Sequence, residues 1–320
     1  MKDMSYVKRI CLYFTDSLVL AVKPVEEGHI NDTFIVKTEE GRFIIQHIQK
    51  NIDVSKQEHN FLLYSEVFEK SDFLYPKWLK NKEGKFIYSD ENEGKWRMYP
   101  YIEADILKVP LTDENLFECG RGLFKLHEML KVIKGETEAS YPHLHDLKYY
   151  LGEYNDISDG NKVLSGKRNV STEEIIELKK DKMLSTDSGP LAIIHGDTKL
   201  SNILFKDGRA AGFIDMDTLM KGYPLEDLSD CIRSCAVLNG KFDREAAEKI
   251  LNGYLNESDE NEAEYIRKTI PDVFDKICFE LGLRYYTDYL SGERYFNEKY
   301  PGYCLDRARE LMSVSWYGKE

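Results

Sequence analysis

The spacing of apolar positions changes character near residue 100. Before it, short apolar runs alternate with Gly-containing or charged breaks. "TFIVKT" (33–38) is followed by the turn "EEG" and then by "RFIIQHI" (42–48). Two apolar runs around a Gly-containing turn predict a β-hairpin. "EEGHINDTF" precedes it with Gly28 at a turn, so residues 20–50 read as strand, turn, strand, turn, strand. A 3.6-residue period then runs over 55–69, with Phe61, Leu62, Tyr64, Ser65 and Phe68 on one face. "GKFIYSD" and "GKWRMYPYIE" each open after Gly and predict two more strands. Residues 1–100 thus predict a small antiparallel sheet with one helix.

Beyond Glu103 the period becomes helical. "TDENLFECGRGLFKLHEML" opens with Thr112, a good N-cap residue, and acidic residues follow it. The region 155–190 reads as polar and irregular, with one helical piece at 172–183. Strand character returns in "LAIIH", "NILF" and "AGFID", with "KDGRAA" as the turn between the last two; from Leu225 onward the pattern is mostly helical. The pattern predicts an α+β protein: a β-rich lobe over 1–100, a connector near 99–102, and a mostly helical lobe over 101–320 that contains a short hairpin.

Length and composition fit this picture. A chain of 320 residues is long for one core, so two lobes are expected. Hydrophobic residues make up 42% and charged residues 32%, as in a globular protein. The formal charge of −13 and the lack of a basic stripe argue against nucleic-acid binding, though a few local cations suffice for a nucleotide. The start shows no secretory signal, and no apolar run nears the ~20 residues that span a bilayer, so a cytoplasmic location without membrane contact is expected. Cys11, Cys119, Cys231, Cys235, Cys278 and Cys304 are scattered without a CxxC pair and read as buried reduced thiols.

The candidate chemistry sits in "IHGDTKLSNILF" (194–205) and "GFIDMDT" (212–218). A hairpin would bring Asp197 and Asn202, before its first strand, to Asp215 and Asp217, at the end of its second. Lys199 lies close by. Hard oxygen ligands suit Mg²⁺, which takes one or two carboxylates plus substrate phosphates. An Asp outside the metal shell can accept a proton from an attacking hydroxyl, and a Lys can neutralise the transferred phosphoryl group. These are the parts of phosphoryl transfer, where catalysis is positioning and charge stabilisation. His195 reads as a loop brace, and Asp227 and Asp230 in "LEDLSDCIR" as braces or helix caps. "HLH" (143–145) lacks a third metal ligand and reads as loop.

The spacing HxDxxxxN followed by IDxD resembles the aminoglycoside phosphotransferase and choline kinase superfamily, whose fold is like that of protein kinases. "GHINDTF", "WRMYPYIEA", "DTKLSN", "IDMDTLM", "DCIR" and "LGLRYYTDYLSGERYF" resemble, in order, blocks of the N-acetylhexosamine 1-kinase family. The resemblance implies a two-lobe, ATP- and Mg²⁺-dependent kinase that phosphorylates the anomeric hydroxyl of a hexosamine. It implies Asp197 as base, with Lys199 beside it. Asn202 and Asp215 would be metal ligands, and Asp217 either a further ligand or the group behind one. Arg284, Tyr295, His29 and Arg233 would form the sugar side. Asn31, Thr33, Gln46 and the 99–102 hinge, including Tyr99 and Tyr101, would form the nucleotide side. An Arg at the acceptor site favours an oxygen-rich sugar over cationic acceptors such as aminoglycosides or choline. The alternatives are a kinase of another small alcohol (aminoglycoside, choline, homoserine or methylthioribose) and a nucleotide-binding pseudokinase. The sequence departs from the pattern at Gly196, where that family often has Asn, and at Gln46, where protein kinases place a phosphate-pairing Lys. No GxGxxG is present; "GRGLFK" contains GxG, but inside a helical pattern.

Overall fold

The computed structural model describes residues 4–25, 31–50, 52–90, 94–159, 167–292, 295–296 and 298–318. The expected turn at Gly28 and the candidate His29 lie outside the described residues. The chain opens with α1 (Met4–Cys11), then β1 (Val19–Pro24), β2 (Asp32–Thr38), β3 (Arg42–Ile48), α2 (Val54–Phe68), β4 (Tyr88–Asp90) and β5 (Gly94–Pro100). The strands form one antiparallel sheet in the order β1-β2-β3-β5-β4. Period-two alternation sorts its side chains. Phe34, Val36, Ile45, Trp96 and Met98 pack on one face against Val7, Ile10 and Cys11 of α1. Ile48 and Tyr99 join a different core with Phe61, Tyr64 and Phe68 of α2. The sequence pattern did not separate α1 from coil: only Val7, Ile10 and Cys11 of its eight residues are buried.

The rest of the chain is built around helices: α3 (Asp113–Lys131), α4 (Leu147–Asp159), α5 (Val170–Leu184), α6 (Pro224–Ala236), α7 (Arg244–Leu255), α8 (Glu260–Ser291) and α9 (Tyr303–Met312). Thr112 caps α3, accepting from Asn115 N–H at 3.2 Å. The segment read as mostly irregular holds the end of α4 and all of α5. The helical piece expected at 172–183 is α5, two residues longer at its start and one at its end, burying Thr172, Ile176 and Met183. These helices pack on α8 through Leu147, Leu151, Tyr154, Phe279, Leu283 and Tyr286. Short strands β6 (Ala192–Ile194), β7 (Ile203–Lys206), β8 (Arg209–Phe213) and β9 (Met220–Gly222) interrupt the helices; β6 pairs with β9 and β7 with β8, all antiparallel. A further short pair, β10 (Val237–Leu238) and β11 (Lys241–Phe242), joins α6 to α7. The β7–β8 turn is only Asp207-Gly208, shorter than the expected "KDGRAA". Both residues take positive φ (52° and 77°), as a tight two-residue hairpin requires. All six cysteines are buried, and none forms a disulfide.

The main core runs from α2 through the β7–β8 hairpin into α3, α6, α7 and α8. Leu74 and Gly212 form a parallel bridge, and Asp105 and Phe205 an antiparallel one, so the hairpin is clasped by chain from both sides. No described helix is long and apolar enough to cross a membrane.

The GxG of "GRGLFK" has a packing explanation. A Cβ at Gly120 would sit 1.9 Å from the Ile250 carbonyl oxygen, and one at Gly253 would sit 1.9 Å from that of Phe117. The two glycines let α3 and α7 approach backbone to backbone. Gly120→Ala is expected to lower stability by roughly 2–3 kcal/mol through overpacking, more than the ~1 kcal/mol that Ala gains in helix propensity. Gly152→Ala on α4, with nothing within 4 Å of its Cβ, is expected to raise stability instead. Thermal unfolding of both variants checks the pair; an unchanged Tm for Gly120→Ala would show that the helices separate freely.

Candidate active site

Residues 195–202 form a loop leaving β6, and α6 holds that loop in place. The Asp227 carboxylate lies in the first turn of α6 and is fully buried. It accepts from the backbone N–H of His195 (2.8 Å) and of Gly196 (2.8 Å) and contacts His127 Nε2 at 3.0 Å. The Asp227 carbonyl accepts from Thr198 Oγ1 at 2.5 Å, and Ser234 Oγ accepts from Leu200 N–H at 2.9 Å. His195 bridges the loop to the next segment: its Nε2 lies 2.9 Å from the Ile214 carbonyl, and its Nδ1 accepts from Asp197 N–H at 3.2 Å. Gly196 has φ +83°, and a Cβ there would meet the Thr218 carbonyl at 2.8 Å. Glycine relieves both constraints, which accounts for the departure at this position.

The Asn202 carbonyl accepts from Ile214 N–H at 2.9 Å, which sets Asn202 beside Asp215. Asp197 Oδ2 receives Lys199 Nζ at 2.5 Å and Asn202 Nδ2 at 3.1 Å; Asn202 Nδ2 also reaches the Asp197 carbonyl at 2.7 Å. Asp197, Lys199, Asn202 and Asp215 are therefore one cluster. Burial works against an ionised Asp197, but Lys199 outweighs it, and the carboxyl is held below its ordinary range. Burial, reinforced by repulsion from Asp217, pushes Asp215 up to about 6 despite Lys199. A divalent cation would relieve that concentration of negative charge. With the Asn202 amide nitrogen used inside the loop, its oxygen and the Asp215 carboxylate are two hard donors suited to Mg²⁺. Among the described residues no three His, Cys, Asp or Glu side chains form a metal site by themselves. That fits an ion completed by substrate phosphates.

Asp217 is placed differently. Its two oxygens receive Arg97 Nη1 (2.5 Å) and Nη2 (2.7 Å), and Asn31 Nδ2 lies 3.2 Å from Oδ2. Arg97 Nε donates to Gln46 Oε1 at 2.8 Å, and Gln46 Nε2 to Thr33 Oγ1 at 3.1 Å. Asn31, Thr33 and Gln46 thus belong to one network centred on Arg97. Tyr99 is buried beside it, within electrostatic reach of Arg97, Asp215 and Asp217. Tyr101 spends its N–H on the Arg42 carbonyl (2.9 Å), with the Arg42 guanidinium 4.2 Å over its ring. The sequence reading overlooked Arg97. The signal was there: in "KWRMYPY" it is a charge in a run of buried strand positions, and a buried cation needs a partner.

On α8, Arg284 lies 4.8 Å from the Tyr150 ring centroid, its Nη2 reaches Tyr295 Oη at 3.4 Å, and it is within electrostatic reach of Glu280. Arg233 is buried and pairs with Asp230 through Nε (2.9 Å) and Nη2 (2.8 Å). It is close enough to act electrostatically on Asp197. His145 links the two regions: Nδ1 lies 3.3 Å from Glu280 Oε1, and Nε2 lies 3.1 Å from the Gly196 carbonyl. Glu280 Oε2 and Asp230 Oδ2 are buried and have no hydrogen-bond partner among the described residues. "HLH" does sit in a turn as expected, but no local pattern pointed to Glu280 or to its pairing with His145, because that pair is defined by contacts distant in sequence.

Burial disfavours a charged His145, but Glu280 outweighs this and pushes the ring up to about 9. A raised His pKa stabilises the fold below the ordinary ring value, and the contribution is lost as pH rises through about 9. His145→Gln is expected to remove it. Urea titrations from about pH 6 to 10 should show wild type more stable by roughly 2–3 kcal/mol at the acid end, with the gap closing at the alkaline end. A gap independent of pH would mean the ring is neutral throughout.

The arrangement has counterparts. A family model described as "Phosphotransferase enzyme family" matches residues 21–265. A solved ethanolamine kinase from Plasmodium vivax is 14% identical, with a TM-score of 0.67 over 97% of this chain and 90% of that one. A microcompartment-associated aminopropanol kinase is 16% identical, with a TM-score of 0.69 over 97% of this chain and 96% of that one. The GDP complex of aminoglycoside 2′-phosphotransferase-IIIa is 12% identical, with a TM-score of 0.68 over 98% and 99%. At these identities the likeness is one of fold, and it matches the expected kinase-like architecture. The family match spans most of the chain and includes the whole loop from His195 to Asp217, so this protein belongs to the phosphotransferase enzyme family.

Proposed function

We propose that this phosphotransferase is an ATP- and Mg²⁺-dependent anomeric sugar kinase, transferring the γ-phosphoryl group to O1 of an N-acetylhexosamine. Asp197 accepts the proton of the attacking hydroxyl and orients its oxygen. Lys199 keeps Asp197 ionised and adds positive charge where phosphoryl charge is spread. Asn202 and Asp215 hold Mg²⁺, which neutralises the phosphate oxygens when bound. Asp217, committed to Arg97, serves behind the metal ligands. The 1–100 lobe carries the nucleotide. With the Tyr101 N–H already used, adenine pairs with the remaining backbone groups of 99–102. A cytoplasmic enzyme acting on a free small molecule fits this reading.

The observation that carries the acceptor class is the charge balance beside Asp197. Arg284, Arg233 and a charged His145 face Glu280 and Asp230, each of which keeps one buried oxygen with no partner among the described residues. A polyhydroxylated, uncharged acceptor can donate to those oxygens and accept from Arg284, with Tyr150 and Tyr295 as ring walls. The choice of O1 and of the N-acetyl group rests on the resemblance of "LGLRYYTDYLSGERYF" and its companion blocks. The same two carboxylate oxygens support a second reading, a kinase of an amino alcohol whose ammonium they would bind. A coupled ADP-release screen with Mg²⁺–ATP decides. N-acetylhexosamines turning over far better than choline, ethanolamine or aminoglycosides is the expected result. Turnover confined to amino alcohols would replace the reading, and ATP binding with no turnover on any acceptor would favour a pseudokinase.

A further inference from the structure

Gln46 occupies the strand position where kinase-like enzymes place a phosphate-pairing cation, and an amide cannot supply that charge. Its cross-strand partner in register is Arg97. Arg97 is 3% exposed and is held from three directions: by Gln46 at Nε, by both Asp217 oxygens, and by the Trp78 ring with its centroid at 4.7 Å. A buried ion pair is poor value as a strut alone, because an apolar pair of similar volume often stabilises as well or better. Two features indicate a ligand instead. The guanidinium uses three of its five N–H groups on protein among the described residues. Asn31, hydrogen-bonded to the same Asp217 carboxylate, keeps a buried Oδ1 that has no partner among the described residues. A polar network so nearly closed calls for a further polar group at its edge.

We infer that Arg97 is the sheet cation that meets the nucleotide's phosphates in place of the residue at position 46, with Asp217 as the positioning residue that aims it. This rests on the ATP reading above. Because Asp217 lies two residues beyond Asp215, the pair also ties the sheet to the segment that would hold the metal.

The test compares binding of adenosine, AMP and ADP with Mg²⁺, by titration calorimetry, to wild type, Arg97→Met and the double variant Gln46→Lys/Arg97→Met. Wild type should gain affinity on going from adenosine to ADP. Arg97→Met should lose at least tenfold of that gain while binding adenosine as before, and the double variant, with the cation moved one strand over, should recover part of it. A merely structural pair would weaken adenosine and ADP alike. A folded Arg97→Met with the wild-type gain overturns the assignment. If Arg97→Met does not fold, Arg97→Lys, which keeps a charge against Asp217, decides. A several-fold smaller ADP gain than wild type supports the assignment, and an undiminished gain overturns it. Wild type showing no gain for ADP over adenosine would instead count against the ATP reading itself.

Discussion

Asp197→Asn is expected to lower kcat by about three orders of magnitude with little change in Tm. Positioned general-base catalysis is worth roughly 10²–10⁴-fold. The amide is isosteric and still accepts a hydrogen bond from Asn202, but it cannot take a proton. The fold should tolerate the change, because Asp197 and Lys199 are both partly exposed and Lys199 can turn to solvent. Nucleotide affinity should also persist, since Asn202 and Asp215 remain. Steady-state kinetics beside a thermal melt checks both halves. Retained turnover would remove Asp197 from the role of base, whereas a collapsed melt would make it a structural residue.

Asp227→Ala is expected to have the opposite signature: a drop of roughly 3–5 kcal/mol, together with most of the activity. The substitution leaves the buried N–H groups of His195 and Gly196 without acceptors and His127 without its partner. At 2–4 °C per kcal/mol for a chain somewhat smaller than this one, the melt should fall by about 10 °C. Asp227→Asn, which keeps one acceptor oxygen, should fall between. Burial works against the Asp227 charge, but His127 and the Gly196 N–H outweigh it and hold the carboxyl below its ordinary range. Its contribution is therefore present above the ordinary Asp pKa and lost as pH falls through the lower, folded value. A stable Asp227→Ala with ordinary kinetics would show that β6 and β9 alone fix the loop.

These two aspartates also show where the sequence is readable. The cluster around Asp197 is compact in sequence. The loop 195–202 and the segment 214–217 are joined by a short hairpin, so alternation and turn chemistry were enough to bring them together. The Asp-Gly turn was recognisable too, though its tightness was not. Helix α5, with only three buried residues, was still readable as the helical piece at 172–183, and only its ends shifted, to Val170–Leu184. The GxG in α3 was ambiguous on its own; the approach of α7 explains Gly120, and the approach of Ala210 in β8 explains Gly122.

Apolar periodicity, the Thr112 cap and the order of strands and helices determine the α+β architecture of a β-rich lobe followed by a mostly helical one, and the sequence alone displays them because they arise from residues within a turn or two of each other; its kinase-like character came from the resemblance of the motifs. The close spacing of Asp197, Lys199, Asn202 and Asp215 is set in the same way. Only the tertiary structure decided that Asp217 belongs to Arg97, 120 residues away, that Asp227 holds the loop through backbone N–H groups, and that His145 joins Glu280 to Gly196. A buried charge is stabilised by whichever opposite charge or dipole the fold brings within about 3 Å. That partner is fixed by the packing of β5, α6 and α8 around the loop, and no local pattern records it.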